Sequence, residues 1–294
     1  MPVKTPIGWF GGKGNFLGKL LPLIPPHHTY VEPFGGAAAL LFAKPSAPVE
    51  IYNDIDSRLV NLYRVLRDEK QFQRFKRMAE LTPYSREEYF DCRERAECGD
   101  DDVMRAWRFW VVARMSFGGL WGHSWGMNVT KSDRGRASSC NSYLQSIDKL
   151  LEFHGRIMAV QIENRDYAKI FELYDTEKTL FYCDPPYVHE TRSHKRYEYE
   201  MTHNDYIKMI NILLCIKGMI ILSGYRHDVY RPLEDAGWRV KTWLTACAAV
   251  GRTRHTGWLG ENALRQAQPR EECVWISPNA IVQGDLFNEV NSAE

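Results

Sequence analysis

Apolar and polar positions near the start of the chain alternate with the periods of strands and helices in turn. The pattern predicts a strand over 28–32, a Gly-Gly turn at 35–36, a helix over 37–43, a strand over 49–53 and a helix with apolar residues at 59, 62, 63 and 66. Asp56 or Ser57 can cap that last helix. Strand, glycine turn, helix and strand in this order predict the opening of a doubly wound α/β sheet.

The middle of the chain differs in composition from the sequence on either side. Residues 67–102 are dense in charge without strand alternation, which predicts exposed helices. In the apolar and aromatic run that follows, Trp107 and Trp110 are predicted to be core residues. Residues 116–141 are rich in Gly, Ser and polar residues, and a loop of this length in a compact domain indicates a functional insertion.

The α/β pattern then resumes. Strands are predicted over 180–183, 219–223, 238–244 and 272–277, and a helix that Asn204 caps is predicted to end before Gly218. The last two strands are expected to form an antiparallel edge. We therefore predict one discontinuous α/β domain, 1–66 and 150–294, with a mainly helical recognition insert over 67–149.

The amino-acid composition excludes few classes of protein or function. The net charge is +1, and 44% of residues are hydrophobic and 26% charged, which is ordinary for a globular protein and neither favours nor excludes a nucleic-acid partner. Seven scattered cysteines without a CxxC pair predict free thiols in a reducing compartment and no metal site. Without a signal-like leader or a long apolar run, the protein is expected in the cytoplasm, away from membranes.

The sharpest chemical feature is Asp184-Pro185-Pro186-Tyr187, placed directly after a predicted buried strand. Ligands of open α/β sheets bind beyond the carboxyl ends of the strands. The Asp184 carboxylate and the Pro185 carbonyl, both acceptors, are suited to hold the two N–H groups of a nucleobase amine, and Tyr187 to stack on an extruded base. The alternative is a rigid turn with a capping Asp. Because this tetrapeptide is rare by chance, we favour the catalytic interpretation.

A second feature is the stretch Glu32-Pro33-Phe34-Gly35-Gly36 after the first predicted strand. Glycines there let a ligand approach the backbone. Asp54 lies 19 residues beyond Gly35, a spacing at which a carboxylate accepts hydrogen bonds from the ribose hydroxyls of a nucleoside cofactor. Capping of the next helix is the alternative for Asp54, and we favour ribose binding.

Three further residues are candidates for the same cofactor. Lys13, after a Gly-Gly turn, could pair with a carboxylate, and Trp9 could cover an apolar flank. A solvated Lys13 is the ordinary alternative. Asp166 could accept a hydrogen bond from an adenine amine or cap the helix that follows.

Basic residues cluster in three predicted loops, over 131–136, 192–196 and 252–255. Contact with DNA phosphates and a solvated loop are equally supported by such clusters. The candidates for DNA contact are Lys131, Arg134, Arg136, Arg192, Lys195 and Arg196.

Together these segments resemble the Dam-type, or D12, class of adenine DNA methyltransferases. The resemblance rests on 9–13, 32–36, Asn53-Asp54, Asn164-x-Asp166-Tyr167 and 184–187, and covers most of the chain. It implies a Rossmann-like sheet and transfer of a methyl group from S-adenosylmethionine to the N6 amine of adenine in double-stranded DNA. In that family the positions that match Trp9, Lys13, Asp54 and Asp184 are cofactor or active-site positions. With the motifs above, the predicted cofactor residues are Trp9, Lys13, Glu32, Pro33, Phe34, Gly35, Gly36, Asp54, Asp166, Tyr167 and Asp184. At Ala37 and Ala38 the family commonly has glycine.

The sequence leaves alternative functions open. Methylation of an amino group of cytosine uses the same turn chemistry, an RNA or protein amide is a less favoured substrate, and a DNA-binding protein without catalysis is the alternative from another class. The chain has no Pro-Cys dipeptide, which argues against carbon-5 cytosine methylation through a Cys nucleophile. We expect a monomer; a restriction-modification, phage or regulatory role is open.

Overall fold

The computed structural model describes residues 5–9, 11–99, 101–129, 131–188, 200–246 and 269–281. The chain forms two compact units, one of Met1–Leu23 and Phe34–Tyr167 and the other of Ile24–Pro33 and Ala168–Glu294. The segment 67–149 lies within the first unit. Its role as a recognition insert stays a prediction.

Nine strands are present in the described part of the chain: β1 (Thr29–Glu32), β2 (Val49–Asn53), β3 (Ser132–Asp133), β4 (Arg136–Ala137), β5 (Val160–Glu163), β6 (Thr179–Cys183), β7 (Met219–Tyr225), β8 (Arg239–Ala246) and β9 (Pro269–Ile276). Seven of them form a mixed, mostly parallel sheet, and β3 and β4 form a separate hairpin. The predicted α/β fold class is confirmed.

The α-helices of the same residues are α1 (Leu17–Leu20), α2 (Ala39–Ala43), α3 (Ser57–Arg67), α4 (Glu69–Leu81), α5 (Arg86–Glu94), α6 (Asp102–Met115), α7 (Ser138–Asp148), α8 (Leu150–Ile157), α9 (Tyr167–Tyr174), α10 (His203–Leu213) and α11 (Arg231–Asp235). Short 3-10 helices cover Lys13–Asn15, Leu21–Leu23, Phe117–Gly119 and Asp228–Tyr230. No helix among the described residues is both long enough and apolar enough to cross a membrane.

In the first unit, β2 and β5 pair in parallel, with Glu50 opposite Val160 and Asn53 opposite Glu163. The carboxyl ends of the two strands therefore lie side by side. The predicted apolar face of α3 is buried at 59, 62, 63 and 66. Helices α4 and α5 confirm the helical prediction for the charged segment, although each of them also buries an apolar face.

The aromatic run of α6 was predicted to be core. Trp110 is fully buried and its indole N–H donates to the Pro6 carbonyl over 2.9 Å, which confirms this for Trp110. Trp107 is partly exposed, so the core prediction is not confirmed for it, and its indole N–H donates to Thr82 Oγ1 over 2.9 Å. The loop that follows ends earlier than predicted, at α7, and contains the β3–β4 hairpin.

In the second unit, β1, β6 and β7 are parallel neighbours, and β9 and β8 continue the sheet as antiparallel strands. The antiparallel edge is as predicted. Every residue of β6 is buried, as expected for a parallel strand that is covered on both faces. The predicted cap of α10 at Asn204 is wrong, since Thr202 caps this helix in a reciprocal capping box with Asp205.

Candidate active site

In the first unit, a loop of two glycines is tied to the end of β2. The Gly35 N–H donates to the Asn53 carbonyl over 2.7 Å, and the Tyr52 hydroxyl donates to the Gly36 carbonyl over 2.9 Å. A Cβ atom on Gly35 would overlap the Tyr52 ring and lie 2.9 Å from the Asn53 carbonyl oxygen, while Gly36 has φ of +49°. The loop therefore requires glycine at 35 and favours it at 36.

Ala38, directly before α2, also has a left-handed backbone conformation, with φ of 53° and ψ of 38°. This conformation costs a residue with a Cβ atom roughly 1–2 kcal/mol. It gives a physical reason why glycine suits position 38 in the family that the chain resembles.

Asp54 follows β2, and its carboxylate holds the glycine loop. Oδ2 accepts the Gly36 N–H at 2.8 Å, and Oδ1 accepts the Asp56 N–H at 2.8 Å. Burial raises the pKa of Asp54 to about 6, although these backbone hydrogen bonds oppose the shift. The residue keeps part of its surface exposed, and the backbone N–H groups of 36, 55 and 56 take three of about four lone-pair sites, so a further donor can bind to it.

The alternative in which Asp54 caps the next helix is wrong. Asp56 is the cap of α3, and its Oδ1 accepts the Arg58 N–H at 2.9 Å. Asp56 was one of the two caps that the sequence predicted.

The segment that contains Asp166 is fastened to the end of β2. The Arg165 N–H donates to Asn53 Oδ1 over 2.9 Å, and the Asn53 side-chain amide returns a 3.0 Å hydrogen bond to the Arg165 carbonyl. Asn164 donates to the Asp54 carbonyl over 2.8 Å. Asp166 follows as an exposed residue directly before α9.

Two aromatic rings flank the same loop. The centroids of Phe34 and Tyr167 are 5.1 Å apart, with an angle of 33° between the ring planes. The first unit thus brings together five of the predicted cofactor residues, which share the carboxyl ends of β2 and β5: Phe34, Gly35, Gly36, Asp54 and Tyr167.

Trp9 and Lys13 lie on the N-terminal side of this loop. A Cβ atom on Gly36 would be 3.5 Å from the Trp9 indole, so the two are neighbours. Lys13 is only 7% exposed, and its Nζ donates to the Gly11 carbonyl over 3.4 Å. The alternative of a solvated Lys13 is therefore wrong.

Sequence reasoning missed the residues that support Trp9. The ring centroid of Phe109 is 5.7 Å from that of Trp9, and Trp121 stacks on Phe109 at 5.6 Å. The Arg58 guanidinium lies 4.8 Å from the Trp121 ring centroid. The dense run of tryptophans was the available signal, but composition does not show which ring faces which neighbour.

In the second unit, Asp184 follows the fully buried strand β6 and is itself partly exposed. Burial raises the pKa of Tyr182 and Tyr187 well above the ordinary value, and the negative charge of Asp184 raises both further. The same two causes act on the pKa of Tyr230, together with Tyr206. The Asp184 charge therefore acts on three phenols that stay protonated at neutral pH.

The two carbonyls of the turn differ in their partners. The Tyr206 hydroxyl of α10 donates to the Pro186 carbonyl. No donor reaches the Pro185 carbonyl from the residues that the structure describes. Of the two, it is therefore the Pro185 carbonyl, the predicted acceptor beside Asp184, that is left for a ligand.

Tyr187 is 9% exposed, and its ring packs edge-on against Tyr225 with centroids 4.4 Å apart. Its hydroxyl donates to the buried carboxylate of Glu272 on β9. Glu272 was missed by sequence reasoning because it lies 85 residues from Tyr187 along the chain.

Two predicted cofactor residues, Glu32 and Pro33, belong to the second unit at the end of β1. Both are buried, and Glu32 Oε1 accepts the Tyr30 hydroxyl at 2.7 Å. Their assignment to the cofactor stays a prediction.

The candidates for DNA contact fall into two groups. Lys131, Arg134 and Arg136 are exposed and share the β3–β4 hairpin, where Arg134 has φ of 51° and Gly135 has φ of 73°. The other three candidates, Arg192, Lys195 and Arg196, lie outside the described residues, as does the cluster over 252–255.

Comparison with known proteins identifies the family of this chain. The model of the D12 class N6 adenine-specific DNA methyltransferase family matches residues 9–220. This range contains the glycine loop, Asp54, Asp166 and the turn at 184–187, and it ends before Glu272.

Two relatives are type II methyltransferases. M1.LlaDCHI of Lactococcus lactis subsp. cremoris is 27% identical over 247 residues, which cover 77% of this chain and 84% of the relative. M.CviBI of Paramecium bursaria Chlorella virus NC1A is 26% identical over 238 residues, which cover 79% of this chain and 87% of the relative. Since the family model also matches well over half of the chain, this protein belongs to the D12 class of N6 adenine-specific DNA methyltransferases.

Proposed function

We propose that the protein transfers the methyl group of S-adenosylmethionine to the N6 amine of one adenine within a fixed recognition site of double-stranded DNA. The observation that carries the proposal is the turn after β6. It offers the Asp184 carboxylate and a Pro185 carbonyl without a described donor, next to a Pro186 carbonyl that Tyr206 already occupies. The names of both relatives, type II methyltransferases, support site-specific modification.

The residues of the first unit suit the proposed donor. S-adenosylmethionine, when bound, supplies an electrophilic methyl group on a sulfonium sulfur. The glycine loop leaves room that a Cβ atom would fill, and Asp54 can accept the ribose hydroxyls with the lone pairs that its backbone partners leave. Buried Lys13 is suited to pair with the donor carboxylate, and Trp9 covers an apolar flank.

Phe34, Tyr167 and Asp166 are assigned to the adenine end of the donor. The two rings stand 5.1 Å apart, and an aromatic face can stack on a purine. Asp166, fastened beside them through Arg165 and exposed, can accept an exocyclic N–H.

On the substrate side, Asp184 and the Pro185 carbonyl each accept one N–H of the adenine amine. The lone pair of that nitrogen is delocalised into the ring, and two acceptors in fixed positions direct it out of conjugation toward the methyl group. In the transfer the nitrogen would form the new N–C bond as the C–S bond of the donor breaks, the sulfur would leave as a neutral thioether, and the extra proton of the amine would pass to water. The base must leave the DNA stack for this contact, and we assign to Tyr187 the role of stacking on it.

A covalent enzyme intermediate has no support near the turn. Cys183 is fully buried directly before Asp184, and burial together with the Asp184 charge raises the pKa of its thiol. A thiol in that state is a poor nucleophile. We infer direct transfer in one displacement.

The exposed β3–β4 hairpin is proposed to contact DNA. A two-residue turn at Arg134 and Gly135, both with positive φ, projects the tip of the hairpin, and Lys131 and Arg136 flank it. Three cations on one small projection are suited to phosphate oxygens, whose contacts position a protein on the duplex.

The proposed function is tested by expression in a methylation-deficient host, followed by mapping of modified bases and mass spectrometry of the nucleosides. We expect N6-methyladenine within one sequence context. Modified cytosine in place of adenine, or no modified base from a folded and expressed protein, would contradict the proposal.

Donor binding should depend on pH through Asp54. The Asp54 pKa of about 6 in the free protein means that the carboxylate gains a proton near pH 6, whereas an ordinary Asp does so near pH 4. The protonated form accepts ribose hydroxyls less well, so we expect the donor Kd to rise about tenfold between pH 7 and pH 5. Isothermal titration calorimetry at four pH values measures this.

The control is Asp54→Asn, which has no proton to gain in this range. Its donor affinity should be weak and nearly constant from pH 5 to pH 7. A wild-type profile that is flat over the same range would show that Asp54 does not contact the ribose or does not titrate there.

A further inference from the structure

Glu272 is a buried carboxylate that the family match does not reach. It lies on β9 in register with Tyr225 of β7 on one side and Trp243 of β8 on the other, and it is 7% exposed. Removing a carboxylate from water is costly unless hydrogen bonds compensate. The Tyr187 hydroxyl supplies such a hydrogen bond.

This hydrogen bond acts on the ring that ends the catalytic turn. The backbone of Tyr187 follows two prolines, whose fixed φ angles stiffen the turn. The far end of the side chain is held by Glu272, and the edge-on contact with Tyr225 at 4.4 Å limits its rotation. A carboxylate oxygen is a good acceptor for a phenol O–H, so the ring is held in one orientation.

We propose that Glu272 is a positioning residue for methyl transfer, which holds the Tyr187 phenol in the orientation in which the ring stacks on the extruded adenine. The proposal rests on the stacking role proposed above for Tyr187. Glu272 itself does not touch the base; it acts through the Tyr187 hydroxyl.

A purely structural role for Glu272 predicts something different. If the carboxylate only stabilised the pairing of β9, its loss would lower the unfolding temperature but leave the folded enzyme with normal base extrusion. A positioning role predicts a defect in the folded enzyme that is specific to DNA. With a positioning role, the Kd for the methyl donor, measured without DNA, is unchanged.

The test uses the full-length protein with Glu272→Ala, Glu272→Gln and Tyr187→Phe, and with Glu271→Ala as the matched control. Glu271 precedes Glu272 on β9 but is exposed. Base extrusion is followed by fluorescence of 2-aminopurine at the target adenine position of a duplex that carries the mapped recognition sequence. Turnover gives kcat and the KM for the unmodified duplex.

We expect Glu272→Ala to lower kcat/KM for DNA by about 10–30-fold and to reduce the 2-aminopurine signal. Glu272→Gln keeps an oxygen that accepts a hydrogen bond from the phenol, so its kcat/KM should stay within about threefold of the wild-type value. Tyr187→Phe removes the same hydrogen bond from the other side and should show the same loss. The double variant Glu272→Ala, Tyr187→Phe should be no worse than either single variant. Glu271→Ala should be unchanged.

A folded Glu272→Ala or Tyr187→Phe variant with wild-type kcat/KM and fluorescence would overturn the proposal. If Glu272→Ala does not fold, the result for Tyr187→Phe alone tests the role of the hydrogen bond. The Tyr187→Ala variant distinguishes an error in the role of Glu272 from an error in the proposed stacking role of Tyr187. If Tyr187→Ala loses activity while the hydrogen bond variants do not, only the role of Glu272 is wrong. If Tyr187→Ala is also active, the stacking role of Tyr187 is wrong as well.

Discussion

Replacement of Asp184 by alanine should lower the rate of methyl transfer to DNA by about 10²–10³-fold, the effect of removing one preorganised electrostatic contact to a transition state. Asp184 is one of two acceptors that we assign to the adenine amine, and the other, the Pro185 carbonyl, is unaffected by the substitution. The residual rate reflects that remaining acceptor and the binding of both substrates. A filter assay with labelled methyl donor measures the transfer.

The substitution should not weaken the fold. Asp184 is partly exposed and lies in the turn directly after β6. A change at a partly exposed turn residue usually affects stability less than a change in the core, so we expect a Tm close to that of the wild type. Asp184→Asn retains one acceptor oxygen and should fall between the wild type and Asp184→Ala in activity.

The matched control is Asp235→Ala, which removes an exposed carboxylate at the end of α11 in the same unit. It should leave transfer unchanged. Full methylation by a folded Asp184→Ala variant would show that the turn does not hold the amine, and the mechanism proposed for this turn would then be wrong.

Local patterns predicted those parts of the fold that local energies decide. The apolar face of α3 and its cap at Asp56 follow from a spacing of three and four behind an Asp, and both are present. The buried strand before Asp184 was predicted because a run of apolar residues ends at a rigid turn. The cap of α10 was misplaced by two residues because Asn204 is an acceptable cap by itself. Thr202 and Asp205 cap the helix reciprocally, which satisfies two backbone donors at once.

Contacts between residues that are far apart along the chain could not be predicted from the sequence. Which residue of β9 lies opposite Tyr225 depends on the register of an antiparallel pair, and a shift of one residue would turn Glu272 to the other face. The stack of Phe109 and Trp121 that supports Trp9 likewise depends on how α6 packs. The candidate residues next to the turn and the glycine loop were predictable because they belong to short motifs, whereas their supporting neighbours do not.

The second large effect is expected for Gly35→Ala. The added Cβ atom would overlap the Tyr52 ring and lie 2.9 Å from the Asn53 carbonyl oxygen, so the loop has to move. Shortening the Tyr52 side chain would not restore the fit, since the Asn53 contact is with backbone. We expect a loss of about 1–3 kcal/mol in the free energy of unfolding, as for overpacked sites.

Donor binding should suffer more than stability in Gly35→Ala. Displacement of the loop moves the Gly36 N–H, which donates to Asp54 Oδ2. The Asp54 carboxylate, which we assign to the ribose, then loses its fixed position. Since a misplacement of about 1 Å can cost on the order of 10²-fold in an enzyme site, we expect the donor Kd to rise by that factor. Urea denaturation and isothermal titration calorimetry measure the two effects on one preparation.

The control for Gly35→Ala is Gly155→Ala, in the exposed interior of α8, where a Cβ atom meets nothing within 4 Å. There alanine should raise the free energy of unfolding by about 0.5–1 kcal/mol, because glycine is the poorer helix former, and leave donor binding unchanged. The same substitution thus has opposite effects on stability at two glycines of one unit. Donor affinity at the wild-type level in Gly35→Ala would mean that the loop can move without disturbing Asp54, and the donor would then have to bind elsewhere.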